Sequence, residues 1–400
     1  MLDFDLAQKR LSEAAPAPTG SETCPLDQAA GRVLAQAVTA LLDSPPAHNS
    51  AMDGYAIRAA DYAAGKPLPI QQRCYAGDVP APLVPGQATR LFTGSLLPEG
   101  ADTIVIQENC READGQVEIL QAPQKGQHVR WQGEDIARGT EILAAGTLLD
   151  AARVALLASQ GMPEVAVLPR LKVGILTTGD ELVAPGQPRA AQQIYNSNGP
   201  MLAALVRGLQ AEPARVLHAA DEPQALRAAF ESLLADCDLV LSVGGVSVGE
   251  RDLVKPTLEA LGGELALWKV RMKPGKPVAL AHIGGKPVVC LPGNPVSAYA
   301  VFALLVSPLV RRMQGRSELF PPVRKAVLRT ETVRQDSREE FLRVQCRAAG
   351  ETTELIAYRH QGSGAIGSLS WAHGLARIPA DTPVADGTPV DYYDLAHWLS

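Results

Sequence analysis

Three glycine-rich loops in the second half of the chain contain the residue types that bind phosphate groups and divalent metals. They occupy residues 177–181 (TTGDE), 244–252 (GGVSVGERD) and 292–297 (PGNPVS), each directly after an apolar segment. Ligands of parallel α/β sheets bind beyond the carboxyl ends of the strands. If the apolar segments are strands of one such sheet, the loops converge on a single edge, and we expect a ligand site there.

The second of these loops is predicted to hold phosphate. Gly244 and Gly245 allow backbone N–H groups to approach an anion, and the N-terminus of the next helix adds a favourable field. A Gly-Gly pair by itself also fits a plain strand-to-helix turn, but Ser247, Gly249 and Asp252 extend the pattern. The spacing matches neither the P-loop nor the dinucleotide-binding fingerprint. The loop therefore indicates phosphate binding of another kind.

Two carboxylates, Glu181 and Asp252, follow different strands of the expected sheet. Carboxylates beside a phosphate suit a bridging Mg²⁺, which prefers oxygen ligands. The alternative is that each one caps the helix that follows it, where a negative charge is also stabilising. Asp180 fits that alternative better than Glu181 does. The residues alone leave open whether Glu181 and Asp252 bind magnesium or cap helices.

Positive charge is concentrated at Lys269, Arg271 and Lys273, which alternate along the chain. In an extended segment alternate side chains point to the same face, so the three cations would form an anion site. An edge strand protected by solvated lysines explains the pattern equally well. The residues leave both interpretations open.

Three short motifs within the first 140 residues stand apart from the α/β block. They surround Asp53 (HNSAMDGYA), Thr93 (FTGS) and Asp135 (GED). Each is also typical of a turn, because Asp-Gly and similar pairs favour turns. Composition alone assigns no function to them.

The overall composition excludes several classes of protein. The chain of 400 residues has a formal net charge of −6, with 46% hydrophobic and 20% charged residues. These values are typical of a soluble protein of several domains and offer no basic footprint for nucleic acid. Residues 1–5 lack the features of a signal peptide. The most apolar run, residues 298–310, is too short for a membrane span and is interrupted by Pro308.

Cysteine and histidine spacing argues against a structural metal. The six cysteines form no CxxC pair, and the seven histidines are scattered. A zinc site or a disulfide framework needs closer pairing of such residues. We therefore expect reduced thiols, no zinc site and a cytoplasmic location.

Strands alternating with helices are predicted for residues 171–315, which indicates a parallel sheet covered on both faces. The expected strands are 172–176, 215–218, 238–243 and 288–291. The expected helices are 198–210, 222–234, 252–261 and 295–313. Asn198 is predicted to be the N-cap of the first helix, because asparagine is a preferred capping residue.

The flanking regions are predicted to contain mostly β-structure. Residues 5–42 look helical in places, above all in the Ala-rich run 29–38, and residues 150–162 return to helix. Short apolar runs between turn residues predict strands at 103–106, 117–120, 325–329 and 341–344. Residues 321–400 are expected to form a small β-barrel or sandwich.

Seven motifs occur in a fixed order along the chain. They are NSAMDGYA at 49–56, FTG at 92–94, GEDI at 133–136, TGDEL at 178–182, GGVSVG at 244–249, KPGKP at 273–277 and LPGNPVS at 291–297. Together they resemble the bacterial molybdopterin molybdenumtransferases, and the E domain of gephyrin and its plant counterpart. Each motif alone is unspecific, but the combination spans nearly the whole chain and is highly specific.

The resemblance implies an elongated homodimer of the α/β plus β class. Each subunit would contain β-rich N-terminal units, a molybdopterin-binding α/β domain with a mostly parallel sheet, and a small C-terminal β-barrel. The implied domains are residues 1–45 with 140–168 (helical and linking), 46–139 (β-rich), 169–317 (α/β) and 318–400 (barrel). The active site would lie between the α/β domain of one subunit and N-terminal elements of the other.

The family reaction that the resemblance implies converts adenylyl-molybdopterin and molybdate into molybdenum cofactor and AMP, usually with Mg²⁺. The implied catalytic positions are Asp53, Asp135, Glu181, Asp221, Asp252, Lys269 and Lys273. Glu181 and Asp252 would hold the metal. The implied substrate-binding positions are Thr93, Arg130, Thr178, Gly244, Gly245, Ser247, Lys276, Pro292, Pro295, Ser297, Arg338 and Ser363. The residues expected around molybdate are Lys273, Lys276, Ser297, Arg338 and Ser363.

Three other functions compete with this one. The molybdopterin adenylyltransferase shares the α/β domain but consists of essentially that domain alone. Residues 1–165 and 321–400 of this chain would have no counterpart in it. A scaffold without activity, like the receptor-clustering role of the gephyrin E domain, is disfavoured by the full set of acidic and basic positions. A paralogue specific for tungsten would have the same sequence features, because tungstate and molybdate have nearly the same size and charge. The expected protein partners are a second copy of the chain, the adenylyltransferase and cofactor-accepting enzymes, with neither nucleic acid nor membrane.

Overall fold

The computed structural model describes residues 1–245, 253–350 and 352–400, with residues 267 and 268 described by their backbone alone. Within them the chain folds into two units. The larger unit contains residues 1–36, 145–154 and 164–400, and the smaller unit contains residues 37–144 and 155–163. The predicted α/β block and the predicted barrel both belong to the larger unit.

A six-stranded sheet forms the centre of the α/β block. Its strands lie in the order Glu212–Ala219, Lys172–Thr178, Leu239–Val243, Lys286–Leu291, Ala279–Ile283 and Glu264–Trp268. The first four pair in parallel, and the last two are joined by antiparallel pairings, so only Ala279–Ile283 runs in the opposite direction. The mostly parallel sheet is therefore confirmed, and the strand predicted at 215–218 extends further in both directions.

Helices cover both faces of this sheet, as continuous apolar strands require. They are Asn198–Gly208, Pro223–Asp236, Val254–Ala260 and the stretch formed by Pro295–Val301, Phe302–Val306 and Ser307–Met313. Successive strand residues serve opposite faces: Ile175 packs into one buried cluster and Leu176 into the other. Each such side chain contributes about 1.5–3 kcal/mol relative to exposure.

The helical stretch Pro295–Met313 continues through Pro308, as the helix predicted at 295–313 requires. Proline removes the hydrogen bond to the carbonyl four residues earlier, here that of Leu304. That carbonyl instead accepts a hydrogen bond of 2.7 Å from Gln8 Nε2, and residues 302–306 form a π-helical turn. Among the described helices it is the one with the length and hydropathy of a membrane span, and 89% of its apolar 18-residue window is buried inside the protein.

Five strands near the C-terminus close into a small barrel, which confirms the barrel rather than the sandwich. They are Arg324–Arg329, Glu339–Ala349, Thr352–Ala357, Gly374–Ile378 and Pro389–Asp394. The long strand closes the circle because its two halves pair with different neighbours, its first half with Gly374–Ile378 and its second with Thr352–Ala357. A short helix, Gly367–Trp371, lies between the third and fourth of these strands, and another, Leu395–Trp398, follows the last one.

The N-terminal part of the larger unit contains one helix, Phe4–Glu13, which is capped by the carboxylate of Asp3. The strand Glu22–Pro25 pairs with Glu164–Val167. The helix predicted for the Ala-rich run at 29–38 is wrong. Gly31 there has a φ of +76°, and Leu34 joins a β-bridge to Val167, so long-range pairing overrides the local preference for helix.

The smaller unit is built around a curled six-stranded sheet. Its strands lie in the order Thr103–Ile106, Gly54–Ile57, Ala88–Leu91, Leu68–Cys74, Gln116–Ile119 and Cys110–Ala113. Two further pairs join Val38–Thr39 to Glu141–Leu143 and Asn49–Ser50 to Val129–Arg130. The strands predicted at 103–106 and 117–120 are confirmed. The helix predicted at 150–162 is found as Ala151–Ser159, before Gly161 with a φ of +73°.

Candidate active site

A cleft of about 780 Å³ opens at the carboxyl edge of the parallel strands. Strands Lys172–Thr178, Leu239–Val243 and Lys286–Leu291 all end at this edge, so the three loops singled out by their composition meet there. The residues that line the cleft include Thr178, Gly179, Glu181, Asn198, Asp221, Gly244, Gly245, Pro292, Asn294, Pro295 and Gly364. The barrel contributes the last of these, so the cleft draws on two predicted domains.

Gly244 and Gly245 turn the chain sharply at one wall of the cleft, with φ of +101° and +62°. A Cβ on Gly244 would lie 2.7 Å from the carbonyl oxygen of Thr178, and one on Gly245 would lie 2.6 Å from Val254. Only glycine therefore fits, and the bare backbone faces the cleft as phosphate binding requires. Ser247 and Asp252, predicted for the same loop, lie outside the described residues.

Replacing Gly244 by alanine is expected to lower the free energy of unfolding by about 2–3 kcal/mol, because a left-handed backbone and a clash with a backbone oxygen add together. Gly262→Ala is the matched control, since Gly262 also has a positive φ but has open space around its Cα. It should cost about 1 kcal/mol. Urea unfolding measures both values, and equal costs would contradict the steric argument.

Carboxylates form an acidic wall of the cleft directly beside the glycine turn. Thr178 Oγ1 donates a hydrogen bond to the carboxylate of Asp221, whose own N–H donates to Asp180 at 3.1 Å. Glu181 is exposed and folds back over Gly179, where an added Cβ would lie 2.5 Å from its Oε2. The structure thus brings Thr178, Glu181 and Asp221 together at one end of the cleft.

This acidic wall fits Mg²⁺ that is shared with a substrate. No group of three or more His, Cys, Asp or Glu side chains with metal spacing occurs among the described residues. Mg²⁺ usually keeps several waters and binds one or two protein carboxylates together with substrate phosphates. Glu181 and Asp221 supply two such carboxylates on the cleft. The donor set therefore suits a metal that arrives with a phosphorylated ligand.

The segment that contains Lys269, Arg271 and Lys273 is not one regular strand. Lys269 has a φ of +63°, which breaks the extended backbone, and the short strand begins only at Met272. Arg271 pairs with Asp381, at the barrel. Lys276 is exposed. Burial nevertheless alternates along residues 269–273, because the three cations are partly exposed whereas Val270 and Met272 are buried. Arg271 donates to the carbonyl of Ser337, directly beside the Asp336 that binds Lys273.

Lys273 and Arg338, which are 65 positions apart in sequence, meet at one carboxylate. Lys273 Nζ lies 3.0 Å from Asp336 and 3.0 Å from Glu340, and Arg338 Nε lies 3.2 Å from Asp336. Burial opposes the charge of Lys273, but the two carboxylates raise its pKa above the ordinary value. Burial likewise opposes the charge of Asp336, yet the two cations lower its pKa to about 2. Lys273 and Asp336 are therefore both charged at neutral pH.

The turn at 292–297 is held from both sides. Asn294 Nδ2 donates to Ser363 Oγ at 3.1 Å, which brings Ser363 to this turn, and Asn198 Nδ2 donates to the Gly293 carbonyl at 2.6 Å. Asn198 is therefore not the N-cap that the sequence predicted; Ser197 occupies that position. Pro295 begins the following helix, and Ser297 is buried in its first turn.

The smaller unit contains the remaining predicted site residues. The Asp53 carboxylate accepts hydrogen bonds of 2.7 Å and 2.8 Å from the N–H and hydroxyl of Thr93, and these bonds lower the pKa of Asp53. Asp53 and Thr93 are thus in contact, although 40 positions separate them. Arg130 and Asp135 are exposed on the same unit. Described by itself, the unit presents an ionised carboxylate beside a hydroxyl.

Three family models match the chain in succession. The MoeA N-terminal region (domain I and II) matches residues 2–161, a probable molybdopterin binding domain matches 174–312, and the MoeA C-terminal region (domain IV) matches 325–395. The molybdopterin molybdenumtransferase 2 of Mycobacterium tuberculosis is 37% identical over 385 residues, which cover 93% of this chain and 95% of that protein. The chain belongs to the molybdopterin molybdenumtransferase (MoeA) family.

Other members of the family agree in sequence and fold. The molybdopterin molybdenumtransferase of Haemophilus influenzae is 37% identical over 324 residues, 80% of each chain. The crystal structure of the molybdopterin biosynthesis moeA protein from Pyrococcus horikoshii OT3 matches with a TM-score of 0.85 and 29% identity, covering 98% of this chain and 99% of that one. The fold described above is therefore the MoeA fold over nearly its full length.

Two residues at or near the MoeA-type site escaped the sequence prediction. Asp336 joins two predicted substrate-binding cations, and Asn198 joins a helix to the turn at Gly293. An Asp two positions before Arg338 is a weak signal for the first. For the second, the pair of asparagines at 196 and 198 was visible, but only the fold shows what they contact.

Proposed function

We propose that this chain is a molybdopterin molybdenumtransferase, which inserts molybdenum from molybdate into the dithiolene of adenylyl-molybdopterin and releases AMP. The observation that carries the proposal is the single cleft that combines the Gly244–Gly245 wall with the acidic wall at Glu181 and Asp221, in a chain of the MoeA family. A glycine wall suits the phosphates of the substrate. The acidic wall suits a metal beside them.

In this proposal the chain's own residues act mainly by positioning and by electrostatics. The backbone at Gly244 and Gly245 holds the phosphoanhydride that links the pterin to AMP. Thr178 fixes Asp221 through its hydroxyl, and Glu181 with Asp221 and Asp252 would hold Mg²⁺. Bound Mg²⁺ neutralises charge on the phosphates and on the leaving AMP. A water molecule or a molybdate oxygen forms a new bond to the phosphorus of the pterin phosphate while the phosphoanhydride bond breaks, and AMP leaves with the electron pair of that bond.

The oxyanion end of the site is assigned to residues of the α/β domain and the barrel. Lys273 and Arg338 meet at Asp336, and Ser363 contacts Asn294 in the turn that precedes Ser297. Positive charge and hydroxyl donors from two domains suit a tetrahedral dianion such as molybdate. Lys269 and Lys276 would add positive field around this end.

We further propose a homodimer with a shared active site and a cytoplasmic location, as the resemblance in the sequence implies. Asp53, Thr93, Arg130 and Asp135 of one subunit would then complete the cleft of the other, which accounts for the ionised Asp53 on a separate unit. The proposed domains keep the boundaries 1–45 with 140–168, 46–139, 169–317 and 318–400. Protein partners would be the adenylyltransferase that supplies the substrate and enzymes that accept the cofactor.

The decisive experiment is anaerobic incubation of the protein with adenylyl-molybdopterin, Mg²⁺ and molybdate. AMP release and reconstitution of a cofactor-free molybdoenzyme are both measured. The expected result is AMP release that depends on molybdate and accompanies reconstitution. ATP consumption without molybdate would indicate an adenylyltransferase instead, and tight pterin binding with neither product would indicate a scaffold.

A further inference from the structure

The carboxylate of Asp336 contacts both cations that the proposed function places around molybdate. Its Oδ2 lies 3.0 Å from Lys273 Nζ, and its Oδ1 accepts from Arg338 Nε at 3.2 Å and from the Arg338 backbone N–H at 3.1 Å. The Asp336 side chain is only 18% exposed, and those of Lys273 and Arg338 are 37% and 28% exposed. Asp336 is therefore enclosed, while part of each cation stays open.

Some N–H donors of Lys273 and Arg338 are bound to carboxylates of the protein, and others meet no acceptor among the described residues. Lys273 has three N–H donors, and two of them meet Asp336 and Glu340. Arg338 directs its Nε edge to Asp336, with Nη2 at 3.5 Å. Within residues 1–245, 253–350 and 352–400, no acceptor meets the third N–H of Lys273 or the Nη1 group of Arg338. One donor group on each cation is thus left for a ligand.

The net charge of this cluster also depends on its carboxylates. Lys273 and Arg338 carry two positive charges, and Asp336 and Glu340 carry two negative ones. A neutral cluster attracts anions only weakly at a distance, so recognition has to come from correctly directed hydrogen bonds at close range. Lysine and arginine side chains lose much rotamer freedom when they are fixed. A carboxylate that fixes them beforehand removes that loss from the binding step.

The cluster is not needed to attach the strand at Met272–Lys273 to the barrel. That short strand already pairs through its backbone with Glu339 and Glu340. Arg271, one position earlier, adds an ion pair with Asp381 and a hydrogen bond to the Ser337 carbonyl. The side chain of Asp336 is therefore available for orienting the two cations.

We propose that Asp336 is a positioning residue for the substrate oxyanion, and that it aims the free donors of Lys273 and Arg338 at molybdate. The inference rests on the proposed function for the identity of the oxyanion. Asp336 itself touches no substrate and acts through the two cations. Its role parallels that of the outer carboxylates that orient metal ligands.

The test compares Asp336→Ala with Glu354→Ala in steady-state AMP release. Glu354 is the matched control, because it also joins two arginines in the barrel, Arg329 and Arg347, and its side chain is 9% exposed. In Asp336→Ala the KM for molybdate should rise about tenfold, the low end of what losing an orienting partner costs at metal sites. The kcat at saturating molybdate and the KM for adenylyl-molybdopterin should change less than about twofold. Glu354→Ala should leave all three constants unchanged.

Calorimetric titration with molybdate alone separates this inference from the proposed function. Wild-type protein that binds molybdate about tenfold more tightly than Asp336→Ala supports the positioning role whether or not AMP is released. Equal molybdate affinity in the two proteins overturns it. A fall in kcat with an unchanged KM also overturns it, because that pattern indicates general damage to the site. Wild-type protein that releases no AMP counts against the proposed function only.

Discussion

Glu181→Gln is expected to reduce molybdate-dependent AMP release by about 10²–10³-fold, the usual cost of removing one preorganised charge from an active site. Glutamine keeps the size of the side chain but loses the charge that would hold Mg²⁺ at the acidic wall. Glu181 is exposed, so the substitution should change the free energy of unfolding by less than about 0.5 kcal/mol. Rates are measured over a range of Mg²⁺ concentrations, together with urea unfolding.

The Mg²⁺ titration decides how the loss is interpreted. If Glu181 holds the metal, the variant should need more Mg²⁺ to reach half of its residual rate, and Glu212→Gln, an exposed glutamate of the same domain, should behave like the wild type. Turnover equal to that of the wild type would remove Glu181 from the metal site. A large loss with an unchanged Mg²⁺ requirement would assign the carboxylate to the transition state instead.

The α/β domain could be predicted closely because its signals are local. A strand such as Leu239–Val243 is buried on both faces, so its sequence is apolar except for Ser242 and stands out between polar loops. Parallel topology then places the ends of these strands at one edge without further information. The cleft between Gly244 and Glu181 follows from those two facts.

Contacts between distant segments could not be predicted in the same way. The run at 29–38 has helix-forming residues, but Leu34 is needed for a bridge to Val167, more than a hundred positions away. Asn198 has the residue type of a cap, but its amide is drawn to the Gly293 carbonyl. The contact between Asp336 and Lys273 depends on the position of the barrel, which the sequence does not reveal. In each case the partner, not the residue type, decides the role.

The smaller unit shows both situations. Gly54 follows Asp53 because a Cβ there would lie 2.1 Å from the Val105 carbonyl oxygen in the neighbouring strand. Turn chemistry therefore explains the glycine poorly, and close strand packing explains it well. The strand that begins at Gly54 also pairs with Ala88–Leu91, and this pairing places Asp53 beside Thr93. Sequence motifs had marked both residues, but not the contact that lowers the pKa of Asp53.

Mixed dimers of Glu181→Gln and Asp53→Asn are expected to regain about half of the wild-type specific activity, although each variant alone is nearly inactive. In a symmetric dimer with shared sites, one site of the mixed dimer collects both substitutions and the other contains neither. The intact site then works at its full rate. Two different affinity tags purify the mixed species, and light scattering verifies that it is a dimer before AMP release is measured.

The alternative arrangement gives the opposite result. If Asp53 completed the cleft of its own chain, each site of the mixed dimer would contain one substitution, and no site would be intact. The mixed dimer would then be as inactive as its parents.

A second mixed dimer, in which one chain has both substitutions and the other has none, supplies the control. With shared sites each of its sites contains one substitution and it is inactive, whereas sites confined to one chain leave it about half active. Shared sites therefore make only the first mixed dimer active, and sites confined to one chain make only the second one active. A general loss of stability would lower the activity of both dimers and so cannot produce either pattern.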